Sequence, residues 1–233
     1  NDQELDANYV QVSDIDASET SEWNGGGGFF PLMRYDGFNG TFDGKGYEVM
    51  DLTADHGLFG VVGSEGKAKN VSVVDADITG GLISKNEGTV IGSYVTGSVD
   101  GESSVGGLVG FNRCIISESH SGIILSGSRD VVGGLVGLNT GKINNSYASG
   151  SVDGDDNVGG LAGRTTGDIN DSYASVSVSG SRKVGGLAGA VVGNIEGSYA
   201  TGEVTGDDNG AGGLAGSIGI EGNIEDSYAE VDV

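Results

Sequence analysis

The chain has 233 residues and a formal net charge of −23 at pH 7, with 34 acidic side chains against 11 basic ones. This surplus of carboxylates argues against nucleic acid or an anionic membrane surface as a partner, because both require clusters of Lys and Arg. A single cysteine, Cys114, excludes an internal disulfide framework, and no apolar run is long enough to insert into a membrane.

The first 56 residues do not follow the regular spacing of the rest of the chain. The open end of a repeat sheet exposes unpaired strand edges, which natural proteins cover. We therefore predict that residues 1–56 form an N-terminal cap with irregular first coils, and that residues 57–233 form one continuous repeat domain.

A leucine recurs at nearly constant spacing through the repeat domain. It lies in strings of the type Gly-Leu-Val-Gly or Gly-Leu-Ala-Gly, and successive leucines are 24, 26, 27, 26, 26 and 27 residues apart. These leucines are Leu58, Leu82, Leu108, Leu135, Leu161, Leu187 and Leu214. Self-similarity at this period is the sequence signature of a solenoid.

Each unit contains three short apolar segments separated by Gly, Asn, Asp and Ser. Segments this short, cut by turn formers, predict strands and not helices. Three short strands per coil of about 26 residues describe an all-β, right-handed parallel β-helix, in which like residues stack about 4.8 Å apart. Apolar residues are expected to form inward ladders, with Val233 on the inward position of the last coil.

The repeat string resembles the GLUG-motif family. The resemblance rests on Val-Gly-Gly-Leu-Val/Ala-Gly followed by Gly-x-Ile-x-x-Ser-Tyr-Ala-x-Gly-x-Val, and it covers residues 57–233. It implies a right-handed parallel β-helix in a secreted or surface-attached, adhesin-like protein, often large and multi-domain. It implies no enzyme activity, because the motif is structural.

A column of aromatic residues is predicted on the outside of the helix. Strand alternation directs Val71 and Val73, and the aligned Ser146 and Ala148, inward, so that the position of Ser72 and Tyr147 points outward. The column contains Tyr94, His120, Tyr147, Tyr173, Tyr199 and Tyr228. Stacked rings can stabilise neighbouring coils, or they can form a ligand-binding strip for sugars or a partner protein.

Acidic and basic turns nearly alternate ahead of successive Gly-Gly-Leu strings. Alternation would turn repulsion between adjacent coils into a ladder of ion pairs. The competing interpretation is a calcium site, because the turns are rich in oxygen ligands. Its candidate ligands are Asp155, Asp156, Asp207 and Asp208. No other cofactor is indicated.

The sequence carries no recognised catalytic motif, so we expect a non-enzymatic module for adhesion, or a stalk that presents a binding surface. We expect it outside the cell or on its surface, with glycans or proteins as partners. The acidity favours a halophilic source. A larger parent chain, or a partner stacked on the C-terminal end, is expected. The alternative function is a polysaccharide-active enzyme or a carbohydrate-binding module.

Overall fold

The structure, a computed structural model, describes residues 5–32, 37–127, 130–207 and 210–233. The chain coils into a solenoid whose strands form three sheets, A, B and C, and all pairings between these strands are parallel. The predicted parallel β-helix, with three strands in each coil, is confirmed. Within the described residues, no helix has the length and apolar character needed to span a bilayer.

Sheet A has nine strands among the described residues, each two or three residues long. They are Tyr9–Val10, Thr41–Asp43, Lys67–Lys69, Thr89–Ile91, Ile115–Ser117, Lys142–Asn144, Asp168–Asn170, Asn194–Glu196 and Asn223–Glu225. The middle residue of most of these strands points inward, and Val90, Ile116, Ile143, Ile169 and Ile195 are fully buried.

Sheet B carries the longest strands. Its main path in the described chain runs through Ile15–Asp16, Glu48–Met50, Ser72–Thr79, Tyr94–Gly101, His120–Gly127, Tyr147–Gly159, Tyr173–Gly185, Tyr199–Gly206 and Tyr228–Asp232. Four short strands pair beside this path: Thr53–Ala54, Val105–Gly106, Val132–Gly133 and Ala211–Gly212.

Sheet C holds the leucine strings at the start of its strands. The strands that the structure describes are Phe59–Val62, Ile83–Asn86, Val109–Asn112, Val136–Asn139, Ala162–Thr165, Ala188–Val191 and Ala215–Ile218. The backbone N–H of Leu108 donates to the carbonyl oxygen of Leu135, and that of Leu135 to Leu161, over 3.0 and 2.9 Å. The predicted stacking of leucine on leucine is therefore confirmed.

Residues 5–56 add strands to sheets A and B and a 3₁₀ segment, Ser18–Gly26, which is interrupted at residues 23–25. The N–H of Thr53 donates to Oγ1 of the buried Thr20, which ties this segment to the first coils. The division of the chain at residue 56 stays a prediction.

One position of sheet B alternates between glycine and a bulky residue; Ile123 and Val176 are buried there, whereas Gly150 and Gly202 are exposed. It lies three residues after each ring of the aromatic column, and its occupants are Gly97, Ile123, Gly150, Val176, Gly202 and Val231. The three glycines have φ of 124°, 108° and 120°. A Cβ there would collide with the carbonyl oxygen of the preceding coil, so only glycine fits.

The last coil is less buried than the coils before it. Val233 is predicted on an inward position, and the register that pairs Glu203 with Asp232 continues to the position of Val204, but Val233 is 74% exposed and follows the final strand. Val231, two residues earlier, is partly buried against the core. No described residues pack on the C-terminal side of this coil. Its inward side chains are therefore more exposed than those of the preceding coils.

Candidate functional site

The aromatic column is the most regular feature of the outer surface. Its six rings lie on adjacent strands of sheet B, with neighbouring centroids 4.6–5.3 Å apart and planes within 9° of parallel. The parallel register sets this spacing, because Tyr147 pairs with Tyr173 and Tyr173 with Tyr199. All six residues predicted for the column are thus brought together.

The column ends in a hydrogen bond at its N-terminal side. The Tyr94 hydroxyl donates to Oε1 of Glu48 over 2.6 Å, although Ser72 occupies the strand between them. Burial is the main cause that raises the pKa of Tyr94, and the bond to Glu48 adds to it. Ser72 was expected on the exposed face; it points outward but is only 3% exposed. Its small side chain leaves room for Tyr94 to reach across it.

His120 replaces tyrosine at one position of the column. Its ring lies 4.9 Å from that of Tyr94 and 4.6 Å from that of Tyr147. Burial between the two rings lowers the pKa of His120, since the charged imidazolium loses solvation there. The ring is therefore held neutral at a pH where a free histidine begins to protonate.

The stacking limits how the column can contact a ligand. Tyr147, Tyr173 and Tyr199 have an aromatic neighbour on each side, so their faces are covered and their edges remain accessible. Within the described chain their hydroxyls have no hydrogen-bond partner. Burial, followed by the neighbouring phenols, raises the pKa of Tyr173. The column therefore offers hydroxyl groups at its edge, and that of Tyr173 is held neutral.

The three candidate calcium ligands that the structure describes, Asp155, Asp156 and Asp207, do not form one cluster. Asp156 pairs with Arg182 and Lys183 of the next coil, each over 3.5 Å, as the alternating-charge interpretation predicts. Asp155 is exposed, Asp207 accepts a 3.4 Å hydrogen bond from Ser181, and Asp208 lies outside the described residues. Among the residues described, no group of three or more His, Cys, Asp or Glu could hold a metal ion.

A buried asparagine ladder was missed by the sequence analysis, which assigned Asn to the separators between strands. Nδ2 of Asn86 donates to Oδ1 of Asn112, and Nδ2 of Asn112 to Oδ1 of Asn139, both over 2.8 Å. Asn139 then donates to Oγ1 of Thr165 over 3.0 Å. All four side chains are fully buried. The signal was present in the spacing, because each residue follows a repeat leucine by four positions.

A second ladder runs through serines beside the aromatic column, including the inward position predicted for Ser146. The backbone N–H of one serine donates to Oγ of the serine on the next coil over 3.0–3.2 Å. The series is Ser93, Ser119, Ser146, Ser172, Ser198 and Ser227. Each Oγ also donates to the carbonyl oxygen two residues before it. Both ladders bind each coil to the next along the axis.

Comparison with known proteins identifies the repeat. A profile of the GLUG motif matches residues 131–153 and 180–205. These stretches contain two of the column tyrosines, Tyr147 and Tyr199, together with Ser146 and Ser198 of the serine ladder. The resemblance found in the sequence is confirmed over these two stretches, and the motif coincides with the contacts that stack one coil on another.

Halomucin and a Bacteroides ovatus protein are among the known proteins that are similar to this chain. Halomucin of Haloquadratum walsbyi is 37% identical over 117 residues, which cover 44% of this chain and 1% of halomucin. A Bacteroides ovatus protein described as a candidate immunoglobulin A1 protease has 20% sequence identity and a TM-score of 0.67. That alignment covers 97% of this chain and 78% of the Bacteroides chain. At this identity the likeness shows a shared fold alone.

Proposed function

We propose that this GLUG-motif repeat protein is a non-enzymatic, rod-like module of a larger halophilic protein that is secreted or attached to the cell surface. Its role would be that of a stalk or adhesion element that presents a binding surface. The similarity to a segment of halomucin supports an origin of this kind. A net charge of −23 supports work in concentrated salt, where carboxylates keep proteins hydrated and apart.

The single observation that carries the proposal is the set of ladders along the axis. The asparagine, serine and aromatic ladders join coil to coil in addition to the backbone pairing. In a solenoid each coil contacts only its neighbours, so stiffness depends on these contacts. A rod with repeated cross-links of this type resists bending and can hold a binding surface away from its anchor.

Small-angle scattering of the chain, from physiological ionic strength to near-saturated NaCl, tests the rod. We expect one elongated profile throughout; a compact profile, or a flexible one in concentrated salt, would contradict the proposal.

Antibody labelling of intact source cells and of their medium tests the location, and signal confined to lysed cells would contradict it. Turnover of any polysaccharide in a substrate panel would overturn the non-enzymatic role.

A further inference from the structure

A neutral patch of hydroxyl groups interrupts the acidic surface of the rod. It lies on the outer face of sheet B, beside the aromatic column. Its hydroxyls come from Ser149, Ser151, Ser175, Ser177 and Thr201 on three adjacent strands. Ser149 pairs with Ser175, Ser151 with Ser177, and Ser175 with Thr201, so the groups form regular rows along the axis.

Most of these hydroxyls are available to a ligand. Ser175 and Ser177 are exposed, while Ser151 and Thr201 are half-buried. In the described chain none of these four hydroxyls has a hydrogen-bond partner, and Ser149 makes one long contact, 3.4 Å, to the carbonyl oxygen of Ser121. The hydroxyls of Tyr147, Tyr173 and Tyr199 border the same strands. The patch thus combines an array of donors and acceptors with a wall of ring edges.

Charge limits the kind of polymer that fits. Asp153, Glu203 and Glu230 border the patch, and the whole chain is strongly negative. At low ionic strength an anionic polymer would be repelled by this border. Recognition through neutral hydroxyls also survives concentrated salt, which screens charges within about 3 Å at 1 M.

We propose that this hydroxyl patch binds a neutral, unbranched, β-linked polysaccharide that lies along the axis of the rod. Neighbouring coils are about 4.8 Å apart, and Ser149 and Thr201 occupy the same row two coils apart. Alternate sugars of an extended chain present the same face, so they can meet equivalent hydroxyls on alternate coils. The sheet holds these groups in fixed positions, which lowers the entropic cost of binding. The inference rests on the proposed function, because it names the ligand of the binding surface that the module is proposed to present.

Isothermal titration with three oligosaccharides tests the inference. Cellohexaose and laminarihexaose are the neutral probes, and hexagalacturonate is the anionic one. The test variant is Ser151→Asp/Ser177→Asp, which places carboxylates in the patch. Ser64→Asp is the control, because Ser64 is an exposed serine in the turn between sheets C and A. We expect binding of a neutral hexamer, about tenfold weaker binding by the patch variant, and no change for the control.

Three results would overturn the inference: no binding of either neutral hexamer, equal binding by the patch variant, or preference for hexagalacturonate. A change of oligomeric state in the patch variant, without glycan binding by the wild type, would instead assign the face to self-association. Scattering from the same samples separates the two proposals. An elongated profile without glycan binding overturns this inference alone, whereas a compact profile overturns the rod.

Discussion

The hydroxyl of Tyr94 donates to Glu48 across a full intervening strand, over 2.6 Å. This bond closes the N-terminal side of the aromatic column and covers Ser72. We expect Tyr94→Phe to lower the free energy of unfolding by about 1 kcal/mol, the net contribution of one hydrogen bond. Urea unfolding measures the change, and amide exchange should quicken around Ser72. Unchanged exchange there would show that the bond does not hold the column in place.

Acid should weaken the column at His120. Because burial lowers its pKa, the unfolded chain takes up a proton below the ordinary histidine pKa of about 6.5 while the folded chain resists it. Stability is therefore fully present above that pH and falls as the pH drops towards the lowered, folded-state pKa. Melting temperatures from pH 5 to 8 should show this loss in the wild type.

His120→Tyr is the matched control for the acid effect, because it completes the tyrosine column and removes the titrating group. We expect the gap between variant and wild type to widen below pH 6.5. A constant gap would mean that attraction between the imidazolium and the two tyrosine faces offsets its lost solvation.

The position of a ring within the aromatic column should determine how much it contributes to the free energy of unfolding. Tyr173 stacks on two neighbours and Tyr228 on one. Each aromatic pair contributes about 0.5–1.5 kcal/mol beyond area burial. Tyr173→Ala should therefore destabilise the chain about twice as much as Tyr228→Ala in denaturant titrations. Equal losses would indicate that the rings act singly.

The asparagine ladder should be sensitive to loss of a central member. Asn112→Ala removes a buried hydrogen-bond partner of both Asn86 and Asn139, and we expect a loss of at least about 2 kcal/mol. Thr165→Val is the control, since Val191 already occupies the same position on the next coil. Asn139 then keeps its 3.3 Å contact to the Gly141 carbonyl oxygen. A similar loss in both variants would show that a central member of the ladder contributes no more than its end member, Thr165.

Experiments on the acidic turns can distinguish two roles for their carboxylates, ion pairing between coils and calcium binding. Arg182 and Lys183 already neutralise Asp156, so we expect chelator to leave the melting temperature unchanged. Asp156→Asn should cost no more than about 1 kcal/mol, and less as salt is added. If calcium raised the melting temperature of the wild type but not of this variant, the turn would be a metal site.

The repeat spacing was enough to predict the coils, because a residue that recurs at a fixed period must stack on its own copies in a solenoid. The aromatic column and the leucine stack followed from that rule alone. The sequence could not show that Tyr94 reaches Glu48, since this contact skips a strand and depends on the small size of Ser72.

The buried asparagines show a different limit. Asn is usually a turn former, and the sequence pattern places it among the residues that separate the strands. The column of Asn86, Asn112 and Asn139 also contains Val62 and Val191, which are fully buried. When a position holds a buried apolar residue in some coils, a polar residue at the same position in another coil can be predicted to be buried too. Only a mutually satisfied ladder makes that burial tolerable.

The alternation of glycine with Ile or Val in sheet B has an evolutionary consequence. Its period is two coils, whereas the leucines and tyrosines repeat with every coil. Loss of the coil that carries Gly150 would place Ile123 against Val176, and duplication of that coil would place two glycines together. Recombination between repeats therefore preserves this alternation only when an even number of coils is gained or lost.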